Sequence, residues 1–145
     1  MRSLLCCMSK NNAGVSAIEF AIISPIMLTI MMGIFQFGIA MNHYLNLTNA
    51  AAQGALTLAL SRGTTTPYSS TTAAIAAAAP NLVSAQTTVT VKINGVACTS
   101  DATCPALVAG QPALVKATYP CNLTVMGVNY KPGCNLTAQT AQMIQ

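Results

Sequence analysis

Few side chains in this sequence are able to do chemistry. Among 145 residues only Glu19 and Asp101 are acidic, His43 is the single histidine, and six residues are cysteine. One histidine, one distant aspartate and no glycine-rich phosphate loop make no triad, no acid–base pair and no metal site. The expectation is a non-enzymatic protein that needs no cofactor. The spacing that invites chemistry is "GVSAIEF", residues 14–20, where the chemistry is done to the chain rather than by it. Gly14 has no side chain, so a peptidase can hold the backbone extended there. A cut between Gly14 and Val15 leaves a new amine at Val15, with Glu19 one helical turn away. A carboxylate in a membrane helix costs about 2.5–3.5 kcal/mol even on the lenient insertion scale. The amine of a neighbouring subunit would neutralise it, which makes the buried acid an assembly device. The plainer alternative is an interfacial acid favoured by the helix N-terminus.

The element that must carry Glu19 follows it directly. From Phe20 to Met41 there is no charge, and Ser24, Thr29 and Gln36 are the only polar residues. As a helix this run spans about 33 Å, close to the ~30 Å hydrocarbon core. Arg2 and Lys10 precede it, which places the N-terminus in the cytoplasm and exports the rest. Pro25 removes a helical hydrogen bond and should kink the span. Beyond the membrane, Asn42, Asn46, Asn49, Gln53 and Thr57 draw a polar stripe along a continuing helix. Leu45, Ala52, Leu56 and Ala59 are read as the opposite face, packed on a head or on neighbouring subunits. His43 reads as a plain interfacial residue.

The rest of the chain reads as a small exported head. Residues 61–67, "SRGTTTP", form a linker, and the alanine-rich stretch from Thr71 to Ala79 forms a short helix that stops at Pro80. Strands are expected over "TTVTVKIN" (87–94), "ALVKATY" (113–119) and, more weakly, "NLTAQTAQMI" (135–144). In the second, Val115, Ala117 and Tyr119 share a face. The fold class is therefore α+β, a long N-terminal transmembrane helix packed on a small antiparallel sheet. The expected boundaries are a cytoplasmic leader at 1–14, a transmembrane helix at 15–41 and an amphipathic extension at 42–60. A linker with a short helix follows at 61–85, then a disulfide-bonded head at 86–145.

Cysteine placement agrees with export. Cys98, Cys104, Cys121 and Cys134 lie in the head, at spacings that match no zinc motif. Two disulfides suit a small extracytoplasmic domain. In a strand meander, Cys98 and Cys104 sit at one end of the sheet and Cys121 and Cys134 at the other. Bridged Cα atoms lie within about 7 Å, so these two pairings are preferred over the crossed ones. Cys6 and Cys7 read as thiols of a discarded leader. Only 6% of residues are charged, and Arg62, Lys92, Lys116 and Lys131 are isolated, so nucleic acid is not an expected partner.

Gly14-Val15-Ser16-Ala17-Ile18-Glu19-Phe20 resembles the type IV prepilin processing site, in the Gly-x4-Glu-aromatic form of the tight-adherence (Tad, Flp-type) system. The apolar run with Pro25 and the stretch "NAAAQGA" (49–55) are similar to TadE-like pseudopilins. Gln53 stands where that family often carries a charge, and Gln142 where an arginine is common. The resemblance implies a pilin-like fold and a minor pilin or pseudopilin role in pilus assembly for adhesion and surface attachment. It implies maturation by a prepilin peptidase at Gly14-Val15, with Glu19 and Phe20 in recognition and assembly. Implied partners are other pilin-like subunits, the Tad assembly platform and its ATPase, and membrane lipid. The implied location is the bacterial inner membrane, single-pass with the head in the periplasm, or the extracellular pilus. Two other classes make different predictions. A permanent single-span anchor displaying a binding head keeps its leader and tolerates Glu19→Ala. A secreted protein cut near Gly38-Ile39-Ala40 would leave no membrane fraction, but the apolar run exceeds a signal peptide's ~7–15 residues.

Overall fold

The computed structural model describes residues 12–125 and 127–145. Arg2, Cys6, Cys7 and Lys10 of the expected leader lie outside the described residues. The first element among the described residues is a single helix, α1 (Asn12–Leu60), of 49 residues. At 1.5 Å per residue it is about 73 Å long, so the apolar run and the amphipathic extension form one rod. α1 passes through Pro25 without a break. Proline has no N–H, which leaves the Ala21 carbonyl without its usual helical donor. Thr29 Oγ1 donates to the Pro25 carbonyl oxygen at 2.8 Å. Phe20, Ile22, Met27, Met31, Ile34 and Phe35 all stand exposed along this half. By length and composition α1 is able to cross a membrane once.

The second half of α1 is buried on a different face from the one expected. Leu47, Ala50, Ala51, Ala55 and Leu58 are fully buried, whereas Leu45 and Leu56 are 53% and 45% exposed. Of the four residues read as the packing face, only Ala59 is buried. At 100° per residue, Leu45, Ala52 and Leu56 stand beside the polar stripe, not across the helix from it. The true opposite face runs through Leu47, Ala51, Gly54 and Leu58. Leu45, Ala52 and Leu56 remain as an exposed apolar strip.

The short helix also starts earlier than expected. α2 (Pro67–Ala78) begins with proline at its first position, inside the segment read as linker. Proline suits that position because its missing N–H would be unpaired anyway. α2 packs along α1, and Thr71 and Ile75 are buried between them.

The sheet has four strands rather than three. β1 (Thr88–Ile93) turns through Asn94-Gly95 into β2 (Val96–Cys98), which was not anticipated. Asn94 and Gly95 both have positive φ, 49° and 82°, the pattern of a two-residue type I′ hairpin. β3 (Pro112–Pro120) and β6 (Asn135–Met143) complete an antiparallel sheet in the order β2-β1-β3-β6. A small hairpin, β4 (Thr124–Val125) with β5 (Val128–Asn129), fills the excursion between them. Alternation sorts the faces. Val91, Ile93, Ala113, Val115, Ala117, Tyr119 and Ala138 are buried, while Thr88, Lys92, Lys116, Thr137 and Gln139 face outward. α1 lies across β3 and β6, and Ala51 and Ala55 of the helix share one buried core with Ala113, Ala117 and Ala138 of the sheet. Small residues on both sides let helix and sheet approach closely. The Gln145 N–H donates to the Ala59 carbonyl at 3.2 Å and ties the end of β6 to the end of α1.

Candidate processing and assembly site

Gly14, Val15, Glu19 and Phe20 occupy successive turns at the start of α1 and are all exposed. The helix includes the Gly14–Val15 bond, so any peptidase acting there would have to unwind this end. Glycine eases that step, being about 1 kcal/mol poorer than alanine in a helix. Among the described residues a β-carbon placed on Gly14 would meet nothing within 4 Å, so none of them requires glycine there by packing. Val15 and Glu19 are four residues apart, about 6 Å along the axis. A carboxylate at Glu19 therefore lies at the level of the first turn that would follow a cut.

The head end of α1 holds the remaining polar chemistry. His43 meets Tyr119 edge to face, with ring centroids 5.5 Å apart and planes at 79°. It is a packed residue of the helix–head junction rather than one simply bathed at the interface. With Ile39, Ala40, Pro120 and Cys121 it lines a cavity of about 150 Å³. Among the described residues no group of three histidine, cysteine or acidic side chains comes together as a metal site.

Cys98 is bonded to Cys104, and Cys121 to Cys134, with Cα atoms 4.7 Å and 5.2 Å apart. The two bonds do different work. Cys121 and Cys134 extend the β3–β6 ladder by one step, since the Cys121 N–H donates to the Cys134 carbonyl at 3.0 Å. Cys98 and Cys104 instead close a loop that contains a single 3₁₀ turn, Asp101–Thr103.

That loop gives Asp101 a role the sequence did not suggest. Its Oδ1 accepts from the N–H groups of Tyr68 at 2.7 Å and Ser69 at 3.0 Å, and Oδ2 accepts from the Ser69 hydroxyl. These are the second and third residues of α2, the donors that an N-cap side chain normally satisfies. The local N-cap residue, Thr66, makes no such bond. Asp101 thus caps α2 from more than thirty positions downstream. The Ser69 hydroxyl, then the Ser69 amide, hold its carboxyl below the usual 3.8; burial opposes them, and the Tyr68 amide adds the least of the lowering effects. The signal available in the sequence was negative: the one acid of a head whose only other charges are Lys92, Lys116 and Lys131, with no local partner.

Comparison with known proteins finds one family, described as TadE-like protein, which matches residues 14–56. The matched stretch begins at Gly14, includes Glu19, Phe20 and Pro25, and ends two residues past Gly54. No curated protein and no solved structure matches the chain. The match covers less than half of the sequence and leaves the sheet outside it. TadE-like proteins are Tad pilus-related, structural proteins built on an N-terminal helix. Residues 14–56 of this chain are thus similar to the TadE-like family.

Proposed function

We propose that this protein is a minor pilin-like subunit for assembly of a tight-adherence type IV pilus. It enters the bacterial inner membrane with its N-terminus in the cytoplasm and its head in the periplasm. A prepilin peptidase cuts between Gly14 and Val15. The mature subunit is held laterally in the membrane until the assembly platform and its ATPase extract it. Glu19 then pairs with the N-terminal amine of a neighbouring pilin-like subunit, and the pilus serves surface attachment.

One observation carries the reading. The Gly14–Phe20 segment, in a TadE-like stretch, opens a helix whose first half stands exposed and whose second half forms the core of a disulfide-bonded head. A bare membrane helix of this kind offers its whole circumference to lipid and then to other helices. Lipid solvates such a surface well, so association depends on packing and on polar pairs such as a carboxylate with an amine.

The test is the N-terminus of the membrane-extracted protein, read by mass spectrometry with and without the cognate prepilin peptidase. A mature chain that starts at Val15 only when the enzyme is present supports the proposal. An intact leader in both strains would sink it and leave a permanent single-span anchor displaying a binding head.

A further inference from the structure

We propose that the Cys98–Cys104 disulfide is a thiol–disulfide exchange site that decides whether α2 stays docked on α1. The inference stands apart from the pilus reading and concerns the head alone. Cys98 ends β2 and is 1% exposed, anchored in the core. Cys104 is partly exposed and lines an open cleft of about 620 Å³ with Arg62, Thr64, Pro67, Asp101 and Leu107. A reagent therefore reaches the bond through the Cys104 sulfur.

The reagent class is a dithiol oxidoreductase with paired thiols. Its thiolate attacks Cys104 Sγ, the Cys98–Cys104 bond breaks, and the electron pair leaves on Cys98, which takes up a proton. The second thiol of the reagent then displaces Cys104. Both head cysteines end as thiols, and the reagent ends as a disulfide, two electrons having passed to the head. Formation of the bond is the reverse, with those electrons passing to the disulfide form of the same class of protein.

The consequence follows from what the loop holds. The turn keeps its own shape, because Ser100 and Thr103 form a reciprocal capping box. Its place relative to α2 rests on Cys98, which belongs to the sheet, and on the bond to Cys104. Asp101 lies between the two cysteines and caps α2 through Tyr68 and Ser69. An opened loop lets the turn drift from α2 without losing its fold, and the helix loses its cap. Beneath α2 lie Leu47, Ala50 and Gly54 of α1, and an apolar cavity of about 210 Å³ bounded by Tyr68, Ile75 and Leu82. Undocking of α2 uncovers that α1 face. Opening Cys121–Cys134 has no such effect, because β3 and β6 remain paired over nine positions.

Hydrogen exchange on the full-length protein in detergent micelles tests this, with peptides over 67–78, β3 and β6 followed separately. Loss of a cap accelerates exchange at a helix start by about fivefold or more. That acceleration is expected at Tyr68, Ser69 and the rest of α2 in Cys98→Ser/Cys104→Ser and in Asp101→Ala. The combined variant should exchange no faster than either alone. β3 and β6 should be unchanged, and Cys121→Ser/Cys134→Ser should leave α2 protected. The proposal fails if α2 keeps its protection in Cys98→Ser/Cys104→Ser, if β3 and β6 loosen equally, or if the other pair has the same effect. Should the serine variant not fold, graded dithiothreitol on the wild-type protein decides. Exchange of α2 must rise in step with alkylation of Cys98 and Cys104, and protection that survives their full alkylation overturns the proposal.

Discussion

Gly54 of α1 lies directly under Ile75 of α2. A β-carbon at Gly54 would fall 2.5 Å from Ile75 Cγ1 and 2.8 Å from its Cδ1, closer than carbon atoms approach in folded proteins. Ile75 is buried and β-branched, with few rotamers to escape into. The glycine is therefore a packing requirement, unlike Gly33 and Gly38, whose added β-carbons would meet nothing within 4 Å.

Gly54→Ala sets two effects against each other. Alanine gains up to about 1 kcal/mol of helix propensity. Overpacking against a stiff neighbour costs about 1–3 kcal/mol. The net expectation is a loss on the order of 1 kcal/mol. Ile75→Ala alone should cost about 2–5 kcal/mol, but less in the Gly54→Ala background because the clash is gone. A double-mutant cycle on denaturant midpoints reads that coupling. A raised midpoint for Gly54→Ala would show that the helices do not meet at this distance.

Glu19 should matter to assembly and not to cleavage. Glu19→Ala removes an insertion cost of about 2.5–3.5 kcal/mol, so membrane recovery should hold or rise. The N-terminus should still begin at Val15, while co-purification with other pilin-like subunits should fall to background. Glu19→Gln should behave like alanine, since charge rather than size makes the pair. Gly14→Val, with a branched side chain at the cut, should retain the leader. Wild-type pilus assembly by Glu19→Ala would remove the carboxylate from the mechanism.

The sequence and the structure agree where local pattern is strong. A charge-free run marks α1, and the alternation of Val89, Val91 and Ile93 marks β1. The buried face of α1 was less legible because Ala50, Ala51, Ala52, Ala55 and Ala59 carry no polarity to distinguish one face from another. Asn94-Gly95 between two valine-rich stretches was a readable hairpin signal, and Pro67 a readable helix start. The capping of α2 was not readable, because its acceptor arrives from another part of the chain. Nothing local to Thr66–Ser70 announces Asp101. The same holds for the meeting of His43 with Tyr119, which depends on where α1 crosses the sheet.

Acid should release α2 before it harms the sheet. The carboxyl of Asp101 is held below 3.8 in the folded protein. A depressed value means that the cap contributes fully above that pH and fades as pH falls through the folded value. Exchange of the α2 amides should rise as pH falls below about 4 and through the folded value, relative to a peptide control for intrinsic rates. Asp101→Ala should show faster exchange at neutral pH and little further change in acid. The window is clean because Glu19 is the only other acidic side chain and lies at the far end of α1. An α2 that keeps its protection after the Asp101 carboxyl has taken up its proton, followed by its own NMR titration, would mean that the cap contributes little.

Gly95→Ala should reach further than the turn that contains it. At φ 82° an L-residue costs about 1–2 kcal/mol, so the β1–β2 hairpin should weaken by that amount. β2 sets Cys98 opposite Val91, and Cys98 anchors the loop that carries Asp101. Strain at Gly95 therefore passes along β2 into the capping turn. The expected result is a denaturant midpoint lowered by about 1–2 kcal/mol, with faster exchange at Tyr68 and Ser69. Lys92→Ala, on the outward face of β1, should change stability by no more than about 0.5 kcal/mol and leave α2 protected. A Gly95→Ala protein that loses stability while α2 exchange stays at the wild-type rate would show that the hairpin and the capping turn are mechanically independent.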